Sequence, residues 1–303
     1  MHIAYSFIVP SRSKFIVVKK PQWITIGVAF FLVAVIYFFG RTTPKHSVAE
    51  VHSADDGHNH GEQTAVIPTD TILNLAKKEL TPEQLVRLAT IEHSISRGDV
   101  RDQQLKVYHD LAHFWSDSVG LFLPYAWYEA EAARLENSEK TLTFAARLFL
   151  DNLQQEQNPA FRRWAAVQAK DLFERSLKIN PNNDSAKIGL GGVYLFGNIS
   201  ENPMEGITQI REVVERDSTN AYAHMTMAKA SILSGQYDKA VSRLQTVQRL
   251  EPANLEAILL LADVYERTKD KENAIKMYIK SLEYIKREDA RTDIARRIEE
   301  LRK

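Results

Sequence analysis

Between Ala221 and Tyr284 the chain repeats one pattern of side-chain sizes, and the two starts, Ala221 and Leu255, lie 34 residues apart. With each start numbered 1, the first copy sets His224, Met227, Ala228 and Ser231 at positions 4, 7, 8 and 11, then Ala240, Leu244, Val247 and Pro252 at 20, 24, 27 and 32. The second sets Ile258, Leu261, Ala262 and Tyr265, then Ala274, Tyr278 and Ser281, at the matching places. Large residues three and four apart describe helices, and recurrence at this period describes stacked copies of a unit too small to bury its apolar face alone. Small residues at 8 and 20 let the two helices of a unit approach closely, while large ones at 4, 7, 11 and 24 fill the space between units. Gly235 falls at the turn between the helices, where a positive φ costs glycine little. Pro252 ends the second helix because it has no amide to continue the ladder.

The register extends upstream. From Asp184 it reads Lys187, Leu190, Gly191 and Tyr194, then, after three extra residues in the turn, Gly206, Ile210 and Val213. From Glu139 it reads Leu142, Ala145, Ala146 and Phe149, then, after about eleven inserted residues, Ala169, Phe173, Ser176 and Pro181. From Leu105 it reads Tyr108, Leu111, Ala112 and Trp115; its second helix fits poorly, with Pro124 and Glu131 where small residues belong. These positions and residue sizes resemble the tetratricopeptide-repeat family. The resemblance implies an all-α, TPR-like right-handed α-solenoid with units at 105–138, 139–183, 184–220, 221–254 and 255–285.

Helices at 69–104 precede these units. Thr81-Pro82-Glu83-Gln84 is a helix start, with Thr as cap and Gln three residues on, and Leu85, Leu88 and Ala89 are expected to face inward. At the other end Ile294, Ile298 and Leu301 recur amid Arg and Glu, which predicts a capping helix over 286–303 with a polar outer face.

In the family, positions 2, 5, 9, 12 and 13 of the first helix line the inner surface. The resemblance therefore assigns a partner-binding groove to Ile188, Leu195 and Phe196, to Tyr222, Met225, Lys229, Ile232 and Leu233, and to Leu259 and Asp263. Its middle is expected to be apolar and its far end charged. Members that clamp a C-terminal carboxylate carry Lys and Asn at positions 5 and 9. Here those places hold Ile188 and Gly192, then Met225 and Lys229, so an apolar partner segment is expected instead.

The N-terminal region reads differently. Residues 1–21 hold Arg12, Lys14, Lys19 and Lys20 and no acid, and Trp23 to Gly40 contains no charge. As a helix that run is about 27 Å long, enough for a bilayer core. Trp23 and Tyr37 lie near its ends as interfacial aromatics, so 22–40 is expected to be a transmembrane signal anchor. Four cations before it against Arg41 and Lys45 after it place the N-terminus in the cytoplasm and the repeats outside, in the periplasm of a bacterium. Residues 41–68, rich in Ser, Asp, Gly and His, read as a flexible linker. His46, His52, His58 and His60 within it, with Asp55 and Asp56, are residue types that can converge on one metal ion, but a solvated tract is the expectation.

Charge and motifs narrow the function. The chain has 39 basic and 39 acidic residues and no basic stripe, which argues against nucleic acid as partner. It has no Cys, which excludes thiol chemistry and disulfides. His109-Asp110-Leu111-Ala112-His113 sets two histidines on one helix face, as in zinc proteases. Asp110 is short for a general base, and Leu111 and Ala112 already serve repeat positions 7 and 8, so groove or core histidines are expected. The expectation is a non-enzymatic interaction scaffold without cofactor or metal, bound to the inner membrane and holding a protein or peptide partner. The layout of basic tail, span, spacer and repeats is similar to the ancillary subunit of the bacterial secretion translocon and to cytochrome-maturation assembly proteins. The alternatives are a structural envelope linker and, less favoured, a metal-dependent enzyme using His109 and His113.

Overall fold

The computed structural model describes residues 66–94, 100–199 and 203–303. The basic tail, the span at 22–40 and the His-rich tract lie outside the described residues. Among those described, no helix is long and apolar enough to cross a membrane.

The described residues form α-helices throughout, with no strand among them. In order they are α1 (Thr69–Lys77), α2 (Pro82–Glu92), α3 (Val100–His113), α4 (Phe122–Glu136), α5 (Glu139–Asn152), α6 (Pro159–Ile179), α7 (Asp184–Phe196), α8 (Pro203–Arg216), α9 (Ala221–Leu233), α10 (Tyr237–Leu250), α11 (Leu255–Arg267), α12 (Lys271–Ser281) and α13 (Glu288–Arg302). A π-helical stretch, Phe114–Val119, follows α3 and ends at Gly120, whose φ is 79°. From α3 onward consecutive helices pack as antiparallel pairs, and each pair stacks on the next, which is a TPR-like solenoid.

Local chemistry sets the helix starts. Asn183, Asn220 and Asn254 each cap the first helix of a pair, their side-chain oxygens accepting from Ala186 N, Ala223 N and Ala257 N at 2.9, 3.0 and 2.9 Å. Thr81 and Gln84 close a reciprocal capping box at α2. The turn inside each of the last three pairs uses one left-handed residue, Asn198 (φ 51°), Gly235 (71°) and Lys269 (63°), each fifteenth in its copy. Only the middle one has the residue that adopts this conformation without cost.

Packing then follows the size pattern. Ala112, Ala146, Ala169, Ala228, Ala240, Ala262 and Ala274 are fully buried at the close-approach positions. In the pair α7–α8 both positions are glycine, and a Cβ on Gly191 would stand 2.7 Å from Gly206 O. The insertion in the 139–183 unit lengthens α6 to 21 residues. Its extra length carries Trp164 against Phe149 and Trp127, and the Trp164 indole donates to Thr69 Oγ1 at 3.1 Å, tying α1 to the array. Pro124 is absorbed in the first turn of α4, where a missing amide costs little, and Glu131 pairs with Arg134 on the same helix.

Two inward assignments are corrected. Leu85 is 43% exposed and Ala89 is also exposed, leaving Leu88 as the buried residue of α2, because this helix packs mainly against α3. At the far end Ile298 and Leu301 of α13 are buried, and Arg297 of that helix donates from Nε and Nη2 to the two carboxylate oxygens of Glu266 on α11.

Candidate functional site

The first helices of successive pairs, α5, α7, α9 and α11, border a cavity of about 370 Å³. Helix α5 supplies Arg147, Leu150 and Asp151, α7 supplies Phe196, α9 supplies Tyr222, Met225, Thr226 and Lys229, and α11 supplies Glu256. Three pairs and the start of a fourth thus contribute to one site, which no single repeat contains.

Its polar groups are arranged in alternation. The Arg147 guanidinium lies 4.8 Å from the centre of the Tyr222 ring, a cation–π contact between α5 and α9. Lys229 pairs with Glu256 at 2.5 Å across the next interface. Asp151 stands one turn beyond Arg147 on α5. Surrounding protein pushes the Asp151 carboxyl up, Arg147 and Lys229 oppose that shift, and Glu256 reinforces it. Burial pushes the Tyr222 phenol up to about 12, with Arg147 opposing and Asp151 adding, so the hydroxyl keeps its proton at neutral pH. That oxygen is buried and has no hydrogen-bond partner within the protein. An unpaired buried hydroxyl is costly, and a ligand offering an acceptor removes the cost.

The sequence-assigned groove residues divide between several places. Phe196, Tyr222, Met225 and Lys229 meet in this cavity. Leu195 and Leu233 line a different hollow, formed with α8 and α10. Ile232 packs against the core of the last two full pairs, Leu259 is half-buried, and Asp263 is held by Arg267 at 2.7 Å. Ile188 is a correction: it is fully buried with Ile210, Val213 and Ala223, and no partner can reach it. Gly192 on the same helix faces α5 instead, where an added Cβ would stand 3.3 Å from Leu150 Cδ1. The apolar middle expected of the groove is corrected too, because Arg147, Asp151, Lys229 and Glu256 ring the cavity.

Arg147, Leu150 and Asp151 were missed, yet they occupy positions 9, 12 and 13 of the 139–183 unit. Applying the inner-surface positions to that unit as well would have found them.

The two histidines of α3 stand by different carboxylates. His109 Nδ1 is 4.0 Å from Glu129 Oε2 on α4, and His113 Nδ1 is 3.3 Å from Asp117 Oδ2. Among the described residues no group of three or more His, Asp or Glu is placed to share a metal ion.

Residues 231–291 match the family described as Tetratricopeptide repeat. No curated protein sequence matches the chain. Among solved structures it is similar to MamA 41-end from Desulfovibrio magneticus RS-1, at 22% identity over 62% of this chain and 97% of that one, with a TM-score of 0.40. It is similar to TTC0263, a thermophilic TPR protein in Thermus thermophilus, at 17% identity over 66% and 98%, with a TM-score of 0.46. YrrB, a TPR protein with an unusual peptide-binding site, aligns at 17% identity over 69% and 96%, with a TM-score of 0.38.

Proposed function

We propose that this chain, an interaction scaffold whose residues 231–291 are tetratricopeptide repeat, holds an extended segment of a protein partner in the cavity between α5 and α11. The buried, unpartnered Tyr222 hydroxyl carries the reading. Tyr222 shares the cavity lining with Met225, and the Arg147 guanidinium lies over its ring, so an apolar side chain with a neighbouring main-chain carbonyl suits this lining. The alternating charges at the rim favour a mixed-charge or neutral segment over a strongly acidic or basic one. The scaffold performs no reaction of its own. Residues 22–40 anchor it in the bacterial inner membrane and the repeats work in the periplasm, a reading supported by the charge-free run and the cations before it. The role is an accessory one in secretion or assembly of envelope proteins.

The test is site-specific photo-crosslinking of the full chain in cells. A crosslinker at 196 or 225 should give a discrete adduct with another polypeptide, and one at the exposed position 178 on α6 should not. Equal adducts from all three positions, or none from 196 and 225, would overturn the proposal. Removing 22–40 should release the protein from carbonate-washed membranes; retention without that segment would refute the anchor.

A further inference from the structure

A second hollow, of about 610 Å³, lies between the pairs α7–α8 and α9–α10, away from the cavity just described. Its apolar lining comes from Ile207 of α8 and from Met227 and Leu233 of α9. Leu233 is 71% exposed, the most solvent-open large apolar side chain among the described residues. Met204, 54% exposed, lines the same hollow, and exposed apolar side chains gathered at one hollow mark an interaction surface.

One side of the hollow is cationic. Arg211 of α8 and Lys239 and Arg243 of α10 line it, and among the described residues none of the three forms an ion pair. Lys239 donates to Gln236 Oε1 at 2.6 Å. Arg243 Nη1 donates to Nδ1 of the buried His224, whose other nitrogen donates to the carbonyl of Ser218 at 3.0 Å. Burial is the larger cause that pushes the half-buried Arg243 guanidinium down, and the like charge of Arg211, which lines the same hollow, adds to it. Two guanidiniums lining one hollow and, among the described residues, unpaired with any acid are an unfavourable arrangement, and it is relieved when an anion enters.

We infer that this hollow is a second docking surface, which takes an acidic segment of a protein partner carrying a large aliphatic side chain. The aliphatic group lies on Ile207, Met227 and Leu233, and carboxylates one turn or two residues away reach Arg211, Lys239 and Arg243. An anionic bilayer fits less well. Glu212 and Glu215 are exposed on α8 beside Arg211 and repel a flat negative surface, while a single chain in the hollow passes them by.

The experiment uses the full chain in phosphatidylcholine nanodiscs and three short fluorescent peptides. The first is Glu-rich with two Leu, the second has Ser for both Leu, and the third has Lys for every Glu. The first should bind, weaken as salt is raised, and lose on the order of tenfold in affinity with Arg211→Ala/Lys239→Ala or with Leu233→Ser. The other two peptides should bind at least that much more weakly. Lys178→Ala, on the exposed face of α6, should leave this binding unchanged, and the crosslink from position 196 should persist in Leu233→Ser, so failure here is distinct from failure of the cavity reading. The proposal is overturned if the first peptide does not bind or binds both variants as well as the parent. Equal binding of the Ser peptide also overturns it, leaving a bare anion site. So does saturation by soluble short-chain phosphatidylglycerol where the first peptide fails, which would assign the surface to lipid.

Discussion

Two adjacent glycines on α7 should respond to alanine with opposite signs. Each Gly→Ala change gains about 1 kcal/mol of helix propensity. At Gly191 the new Cβ would lie 2.7 Å from Gly206 O and 2.7 Å from Ile210 Cγ1, both on α8. The carbonyl is main chain at the end of the first turn of α8 and cannot turn aside without breaking the helix, so α7 and α8 must separate and loosen the fully buried Ile210 and Val213. Overpacking of this kind costs about 1–3 kcal/mol, and a main-chain obstacle sets it at the upper end. The balance for Gly191→Ala is a loss of about 1–2 kcal/mol. At Gly192 the nearest atoms are Leu150 Cδ1 and Cδ2 at 3.3 Å and Thr226 Cγ2 at 3.6 Å, the ends of flexible side chains that border the open cavity. Small rotations make room, and Gly192→Ala should keep most of its gain, up to about 1 kcal/mol. For a domain of this size each kcal/mol moves the Tm by about 2–4 °C. The three proteins should be melted side by side by circular dichroism and unfolded in urea. A Gly191→Ala protein as stable as the parent would refute the claim that α7 and α8 touch through their backbones.

Three further outcomes follow from the geometry. Asn183 caps α7 and also donates to Thr143 Oγ1 and Ser176 Oγ, which bond each other at 2.8 Å in the core, whereas Asn254 only caps α11 and bonds the exposed Glu251. Asn254→Ala should therefore cost about 1 kcal/mol and Asn183→Ala about 2 or more, read by urea unfolding; equal losses would contradict the role of the buried network. Tyr222→Phe removes a buried oxygen with no partner and should stabilise the free protein by about 1 kcal/mol while weakening partner binding. A clear drop in Tm would show that the hydroxyl is already satisfied. Arg297 holds the Glu266 carboxyl below the usual carboxylate range, against a small opposing effect of burial and with help from Tyr278. The stabilisation is thus complete above the ordinary carboxylate pKa and is lost as pH falls through the lowered value. Acid should release α13 before the rest, seen as faster hydrogen exchange of its amides, and Glu266→Gln should flatten that pH dependence.

Repeat spacing was readable in the sequence because it is a one-dimensional property. Ala228, Ala240, Ala262 and Ala274 recur in phase, and each is fully buried where a helix crosses its partner. The asparagine before each of the last three units is local chemistry of the same kind: an oxygen two or three residues from the amides it caps. Position alone also placed Phe196, Tyr222, Met225 and Lys229 on one surface. It failed at Ile188, which carries an inner-surface position yet faces the core, because Ile210 and Val213 of α8 and Ala223 of α9 close over it.

The chain alone thus determined that helices form, where they begin, and that they stack as one recurring unit, since periodicity, caps and residue volume act within a few turns. Which charges meet was decided only when the pairs were stacked. Arg147 reaches Tyr222 across an intervening pair, Lys229 finds Glu256, and Arg211 and Arg243 form no ion pair among the described residues, because superhelical stacking brings distant residues to one surface by rotations that no single repeat encodes.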